Sequence, residues 1–385
     1  MQHHRPFKIS VLGIVLLGMV AVPTPGRAQT GFALRQADRV RLAEARRLAN
    51  GVCDRLWPGW GHTAFQVLLV GDSAEFLVGS DRADGEFVSL GRDPEQGGQV
   101  WTRPRRFPPT LLATFPAVGG MPTTVIGSAE RTAKSSTAWV LTLLHEHFHQ
   151  WQFSQPGYYA GVSGLGLAHG DTTGQWMLDY RFPYDSAPVQ QAMRSLATAL
   201  VRAVEAHPAA RASAVKDVID ARDTLRNRLT AADYRYFEFQ LWQEGVARYI
   251  ELAAARAATE AGEPSTEFRS LPDYESYSRA ANRAALSLHR ELDHLDLALQ
   301  RRVAFYPVGA AMALVLEKTR PDWKRAYAQR PFALAALLTA PPTRSRPAPS
   351  SAPEATPHES RYDHLPRSFH PGRKDPRHAS QAGNP

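Results

Sequence analysis

Cysteine is nearly missing from this chain: Cys53 is the only one in 385 residues. One cysteine excludes an internal disulfide, so stability must come from a packed core, with Cys53 read as a small buried apolar residue of it. Internal repeats, collagen-like triplets and sustained heptads are also missing, which excludes solenoids and fibrous rods. Beyond residues 9–22 no apolar run is long enough to cross a bilayer. The folded middle lacks an excess of positive charge, despite a pI of 9.7. Residues 1–28 and 341–385 each carry +3 of the total +8, which leaves +2 for the whole stretch between them. A nearly neutral body argues against nucleic acid as a partner.

What is present first is a targeting pattern. Arg5 and Lys8 precede the apolar run Ile9 to Val22, and Gly26-Arg27-Ala28 offers small residues for cleavage after Ala28. Residues 1–28 are therefore expected to be a signal peptide, with an uncleaved anchor as the alternative. No cysteine lies near the cleavage point, which argues against a bacterial lipoprotein. Export without disulfides suggests a bacterial periplasmic or secreted protein, not stably inserted in the membrane once the signal is cleaved. At the other end, residues 341–385 are dense in Pro, Ser, Arg and His and poor in large apolar residues. That composition predicts a disordered tail.

Between these termini the pattern predicts an α+β fold. Apolar content of 43% and charged content of 21% suit a globular body. Residues 32–50 read as an amphipathic helix stopped by Asn50-Gly51. Strands are expected at 64–70 and 75–78, joined by a hairpin at Gly71-Asp72-Ser73, and at 86–90 and 123–126. The Pro-, Gly- and Arg-rich stretch between the last two reads as loops. This sheet part, about 60–130, leads into a mainly helical part, about 131–340. Its helices are expected at 187–206, 209–228, 231–258, 273–300 and 305–319.

The chemistry is carried by His145-Glu146-His147-Phe148-His149, an H-E-x-x-H sequence closing the apolar run from Thr137 to Leu144. On a helix, residues four apart share a face, so His145 and His149 can hold one metal ion together. Glu146 then sits where a carboxylate can act as general base toward metal-activated water. Ser135, Ser136 and Thr137 are candidate caps. His147 points away from that face and is read as packing. A catalytic zinc site needs a third ligand. Glu244 is the candidate, beside Gly245, whose missing side chain would let its helix press against the His-Glu helix. Phe237, Leu241, Ala247 and Glu251 share roughly its face. His169 in a loop is a rival for ligand or oxyanion duty.

His145-Glu146-x-x-His149 followed by Glu244-Gly245-x-Ala247-x-Tyr249 resembles the gluzincin group of zinc metallopeptidases. The resemblance covers about 120–153 and 236–252. It implies zinc held by His145, His149 and Glu244, Glu146 as catalytic base, and a small mixed sheet packed on the metal helix with a helical subdomain behind. Tyr306, in Tyr306-Pro-Val-Gly309, is similar to a downstream Tyr of that group that stabilises the oxyanion. Two departures stand out. His149 and Glu244 are 95 residues apart, longer than in compact members, and position 248, four after Glu244, is Arg where an Asp is expected.

The expected activity is zinc-dependent hydrolysis of a peptide or protein substrate. The alternative is a non-catalytic metal-binding or interaction protein on the same scaffold. The motif helix is expected at the base of a cleft, with Thr123–Gly127 or 86–90 as an edge strand able to pair with an extended peptide. Substrate, endo- or exo-action, the role of 154–230 and oligomeric state are not written in the sequence.

Overall fold

The computed structural model describes residues 32–339, so the signal segment and the tail predicted at the two ends lie outside the described residues. The body begins with helix α1 (Gln36–Leu56), then β1 (Val67–Val70), β2 (Ala74–Val78), β3 (Val88–Asp93), β4 (Gly98–Pro104), β5 (Leu112–Val118) and β6 (Met121–Gly127). The motif helix α2 (Ser136–Ser154) follows. Short helices α3 (Tyr158–Gly164) and α4 (Trp176–Asp179) lead to α5 (Ala187–Glu205) and α6 (Arg211–Arg226). The remainder is α7 (Ala231–Gln240), α8 (Val246–Ala258), α9 (Thr266–Arg269), α10 (Tyr277–Asp293), α11 (Leu297–Gln300), α12 (Phe305–Thr319) and α13 (Trp323–Gln329). The class is α+β, a mixed sheet followed by a mainly helical part. Among the described residues no helix is long and apolar enough to cross a membrane.

The six strands form one sheet in the order β3-β4-β2-β1-β6-β5, antiparallel except for the parallel pair β1–β6. The β1–β2 hairpin turns at Gly71, whose N–H donates to Ala74 O. Leu68, Val70, Leu77 and Val125 join Phe87, Phe115 and Val118 in one small core on a single face.

Two expectations about the sheet are corrected. The stretch expected to be loops contains β4 and β5. Their Pro residues masked the alternation, but Pro104 ends β4 and Pro116 sits in an edge strand, where a missing N–H is tolerated. In consequence Thr123–Gly127 is not an edge: β6 is interior, flanked by β1 and β5. The alternative edge near 86–90, now β3, closes the opposite side of the sheet. The edge beside the motif helix is β5.

Helix boundaries move for local reasons. α1 runs past Asn50-Gly51 because Val52 and Cys53 continue its buried stripe. It stops at Trp57, extended and followed by Pro58. The helix expected over 273–300 breaks after Asp293, and Asp296 caps the short α11 by accepting from Leu299 N. The run 231–258 is helical throughout but contains a π turn at Leu241–Gly245, where Val246 N–H donates to Leu241 O five residues back.

The motif helix is internal. Every residue from Trp139 to Gln152 is buried. Ser135 caps it, accepting from Ala138 N. Asp273 accepts from Ser136 N at 2.8 Å and from its hydroxyl at 2.5 Å, which places an anion at the helix N-terminus. Buried Arg41 donates to the same hydroxyl and pairs with Asp38 and Glu130. Farther along, Trp139 Nε1 donates to Gly127 O, and Gln150 Nε2 donates to Gln66 O and Pro122 O. These bonds fix the depth of α2 against the β1–β6 end of the sheet.

Gly245 does have a packing reason, but a different one from that expected. A Cβ there would come 2.5 Å from Gly309 Cα, and one at Gly309 would come 2.6 Å from Gly245 Cα. The close approach is therefore to α12, not to the motif helix. It brings the start of α12, and Tyr306 with it, up to the π turn that carries Glu244.

Candidate metal centre

His145 and His149 project from one side of α2, and Glu244 reaches them from the π turn. His145 Nε2 lies 3.1 Å from His149 Nε2. Glu244 Oε2 lies 3.8 Å from the first and 3.5 Å from the second. Three ligands around a tetrahedral zinc at about 2.0–2.1 Å are separated by about 3.4 Å. The observed triangle therefore fits a single ion, and two imidazoles with one carboxylate are a donor set suited to zinc. The histidines are buried and Glu244 is partly open. Residues far apart in the chain thus meet in one cluster. His169 is not part of this cluster; it lines a separate cavity of about 480 Å³ with Trp176, Tyr180 and Arg181.

A ring of polar groups surrounds the three candidate ligands. Glu251 Oε1 lies 2.9 Å from His145 Nδ1, at ion-pair distance but out of line with the ring N–H. That carboxylate stands three residues after Arg248 on α8. Arg248 binds Glu251 itself, and Glu291 at 2.8 Å. On the other histidine, Nδ1 meets Gln152 Oε1 at 2.6 Å. Gln152 cannot turn over, because its Nε2 donates to Trp242 O and Gln243 O, each at 3.0 Å. His149 Nδ1 therefore carries the proton and its Nε2 lone pair faces the cluster. Gln243 Nε2 lies 3.0 Å from His149 Nδ1 and 3.1 Å from Gln152 Oε1, so its hydrogen goes to the oxygen.

Glu146 is held from the sheet. Thr114 Oγ1 on β5 donates to Glu146 Oε2 at 2.8 Å, and Thr124 Oγ1 stands 3.2 Å behind it. One carboxylate oxygen is thus occupied, and no hydrogen bond is formed by the other among the described residues. Tyr306 is at the site. Its ring stacks on His145 with centroids 6.4 Å apart, and its hydroxyl accepts from Arg302 Nη1 at 2.6 Å. The same nitrogen reaches Glu244 Oε1 at 3.5 Å. His147 faces away, between Trp60 and Phe65, with Nδ1 on Gln150; burial pushes it down to about 4, so it is a neutral packing residue.

Sequence reasoning passed over Gln152, Gln243, Thr114 and Arg302, and named Glu251 only for its face. Gln152 carries a signal, being three residues after His149 on one helix. Arg302 is likewise four before Tyr306. Thr114 has none, because its contact with Glu146 depends on how β5 docks.

The electrostatics follow from this packing. Burial opposes a charged His145, but the carboxylates of Glu244 and Glu251 outweigh it and raise it to about 10. Burial would raise Glu244, yet His145, His149 and Arg302 hold it well below the carboxylate range. Glu251 is likewise lowered to about 2, burial being overcome by Arg248 and His145. Without metal, the folded chain holds the His145 proton more tightly than the unfolded chain does. That stabilisation is complete below about pH 6.5 and disappears as pH rises through about 10. Metal-free protein should therefore lose thermal stability from neutral pH to pH 10, with a flatter profile in Glu244→Gln. Thermal melts in chelator check this, and an equally steep fall in the variant would refute the assignment.

No family model, curated protein or solved structure matches the chain.

Proposed function

We propose that the chain is a zinc-dependent peptidase-like hydrolase of the gluzincin type. The observation that carries the reading is the convergence of His145 Nε2, His149 Nε2 and Glu244 Oε2 within 3.1–3.8 Å. Zinc, when bound, supplies a Lewis acid that acidifies water and polarises a carbonyl. His145, His149 and Glu244 would hold it. Glu146, tethered at Oε2 by Thr114, takes the proton of the attacking water on its free oxygen and passes it to the leaving amine. Tyr306 is kept protonated, since burial and the Glu244 charge hold it well above the usual tyrosine range, and it supplies a hydroxyl donor for the developing oxyanion. β5 is an edge strand of the sheet, the position at which an extended peptide could add by main-chain hydrogen bonds. A protein that only bound metal would have no use for a tethered carboxylate in this position.

Purified full-length protein should contain about one zinc per chain, as expected of a three-ligand site. His145→Ala and Glu244→Ala should each remove it. Metal analysis finding no zinc in carefully handled wild type, or full zinc in both variants, would overturn the reading.

A further inference from the structure

We propose that Arg302 makes the site selective for peptides with a free C-terminal carboxylate, so that the chain acts next to a C-terminus rather than inside a sequence. The inference rests on the metal reading above. Arg302 lies on the short turn Arg301–Ala304 that feeds α12, and its side chain is 23% exposed. All of its hydrogen bonds leave from Nη1, to Tyr306 Oη at 2.6 Å and to Glu244 Oε1 at 3.5 Å. Among the described residues, Nε and Nη2 donate to no protein group, and neither is a buried orphan. Two donors of a planar fork are therefore open to solvent beside the metal ligand.

The charge pattern says what they await. Glu244 is the only carboxylate paired with Arg302 among the described residues. A dication held through Glu244 Oε2 draws on the same charge. Arg302 is then a half-buried cation next to another cation, with its one anionic partner shared. Glu251 does not relieve it, being engaged by Arg248 and His145. An incoming carboxylate restores the balance, and the guanidinium fork matches it with two parallel hydrogen bonds. A scissile carbonyl alone brings a single oxygen and no charge. A terminal carboxylate meets both requirements.

The test uses full-length, zinc-loaded protein carrying Glu146→Gln to block turnover. The probe is a pool of N-acetylated tetrapeptides made as free acids and as amides. Equilibrium dialysis with mass spectrometry reads retention, after metal analysis of each sample. Acids should be retained roughly tenfold or more over the matching amides. Arg302→Gln should erase that preference with zinc content unchanged, and Arg302→Lys should restore part of it. If Arg302→Gln loses zinc, Arg302→Lys carries the comparison, and its preference should fall below that of the parent. Equal retention of acids and amides overturns the proposal, as does a preference that survives both variants, which would mean the acids bind the metal directly. Protein without zinc overturns the metal reading as well, so the two failures are distinguishable.

Discussion

Under the proposed function, Glu146→Gln should leave zinc in place and lower peptide hydrolysis by about a thousandfold. The substitution is close to isosteric, and the glutamine oxygen can still accept from Thr114 Oγ1, so the side chain keeps its place. What it loses is the capacity to take a proton. No ligand is removed, because the converging donors are His145, His149 and Glu244. Digestion of a mixed peptide library, read by mass spectrometry beside metal analysis, measures both quantities. Wild type and variant equally inactive with zinc bound would favour the interaction-protein reading, and loss of zinc from the variant would place Glu146 among the ligands.

The parts of this site written locally were legible in the sequence. Two histidines four apart define a face by helix geometry alone, and Ser135 before an apolar run is a cap wherever it occurs. Glu244 was reachable because a glycine in mid-helix calls for a packing reason. The reason itself was misassigned: Gly309 is 64 residues farther on, and nothing near Gly245 names it. The edge strand failed for a similar cause. Pro116 hides β5 from any alternation rule, and with β5 unseen, β6 looked like the border of the sheet. Thr114 was lost with it. Pairings between distant segments are set by the summed fit of many side chains, which no short window contains.

The π turn shows how such a non-local feature serves the site. One extra residue in the turn at Leu241–Gly245 disturbs the regular backbone bonding. The carbonyls of Trp242 and Gln243 also accept from side chains. Trp242 O accepts from Tyr327 Oη at 2.7 Å and from Gln152 Nε2, and Gln243 O accepts from Gln152 Nε2 as well. The irregularity that projects Glu244 toward the histidines thus also provides the acceptors that orient Gln152, and Gln152 in turn fixes the tautomer of His149. The third candidate ligand and the orientation of a second come from one local distortion.

Gln152→Leu should accordingly weaken zinc binding by about 10–100-fold, although Gln152 is not a ligand. It should also destabilise the fold by about 3 kcal/mol. Leucine leaves the His149 Nδ1–H without its acceptor, and the two carbonyls without their amide donor, in a place where water does not reach: Gln152 is fully buried. Gln152→Glu separates the two effects. Its carboxylate still accepts from His149 Nδ1, so zinc affinity should stay closer to wild type. It presents oxygen to the carbonyl oxygens of Trp242 and Gln243, though the Tyr327 hydroxyl, 2.6 Å from the present amide nitrogen, can donate to it, so stability should still fall below wild type. Competition titrations against a chelator and chemical denaturation of the metal-free proteins give the two readouts. If Gln152→Leu binds zinc as tightly as wild type, the histidine does not depend on this network for its orientation, and the role assigned here to the π turn is wrong.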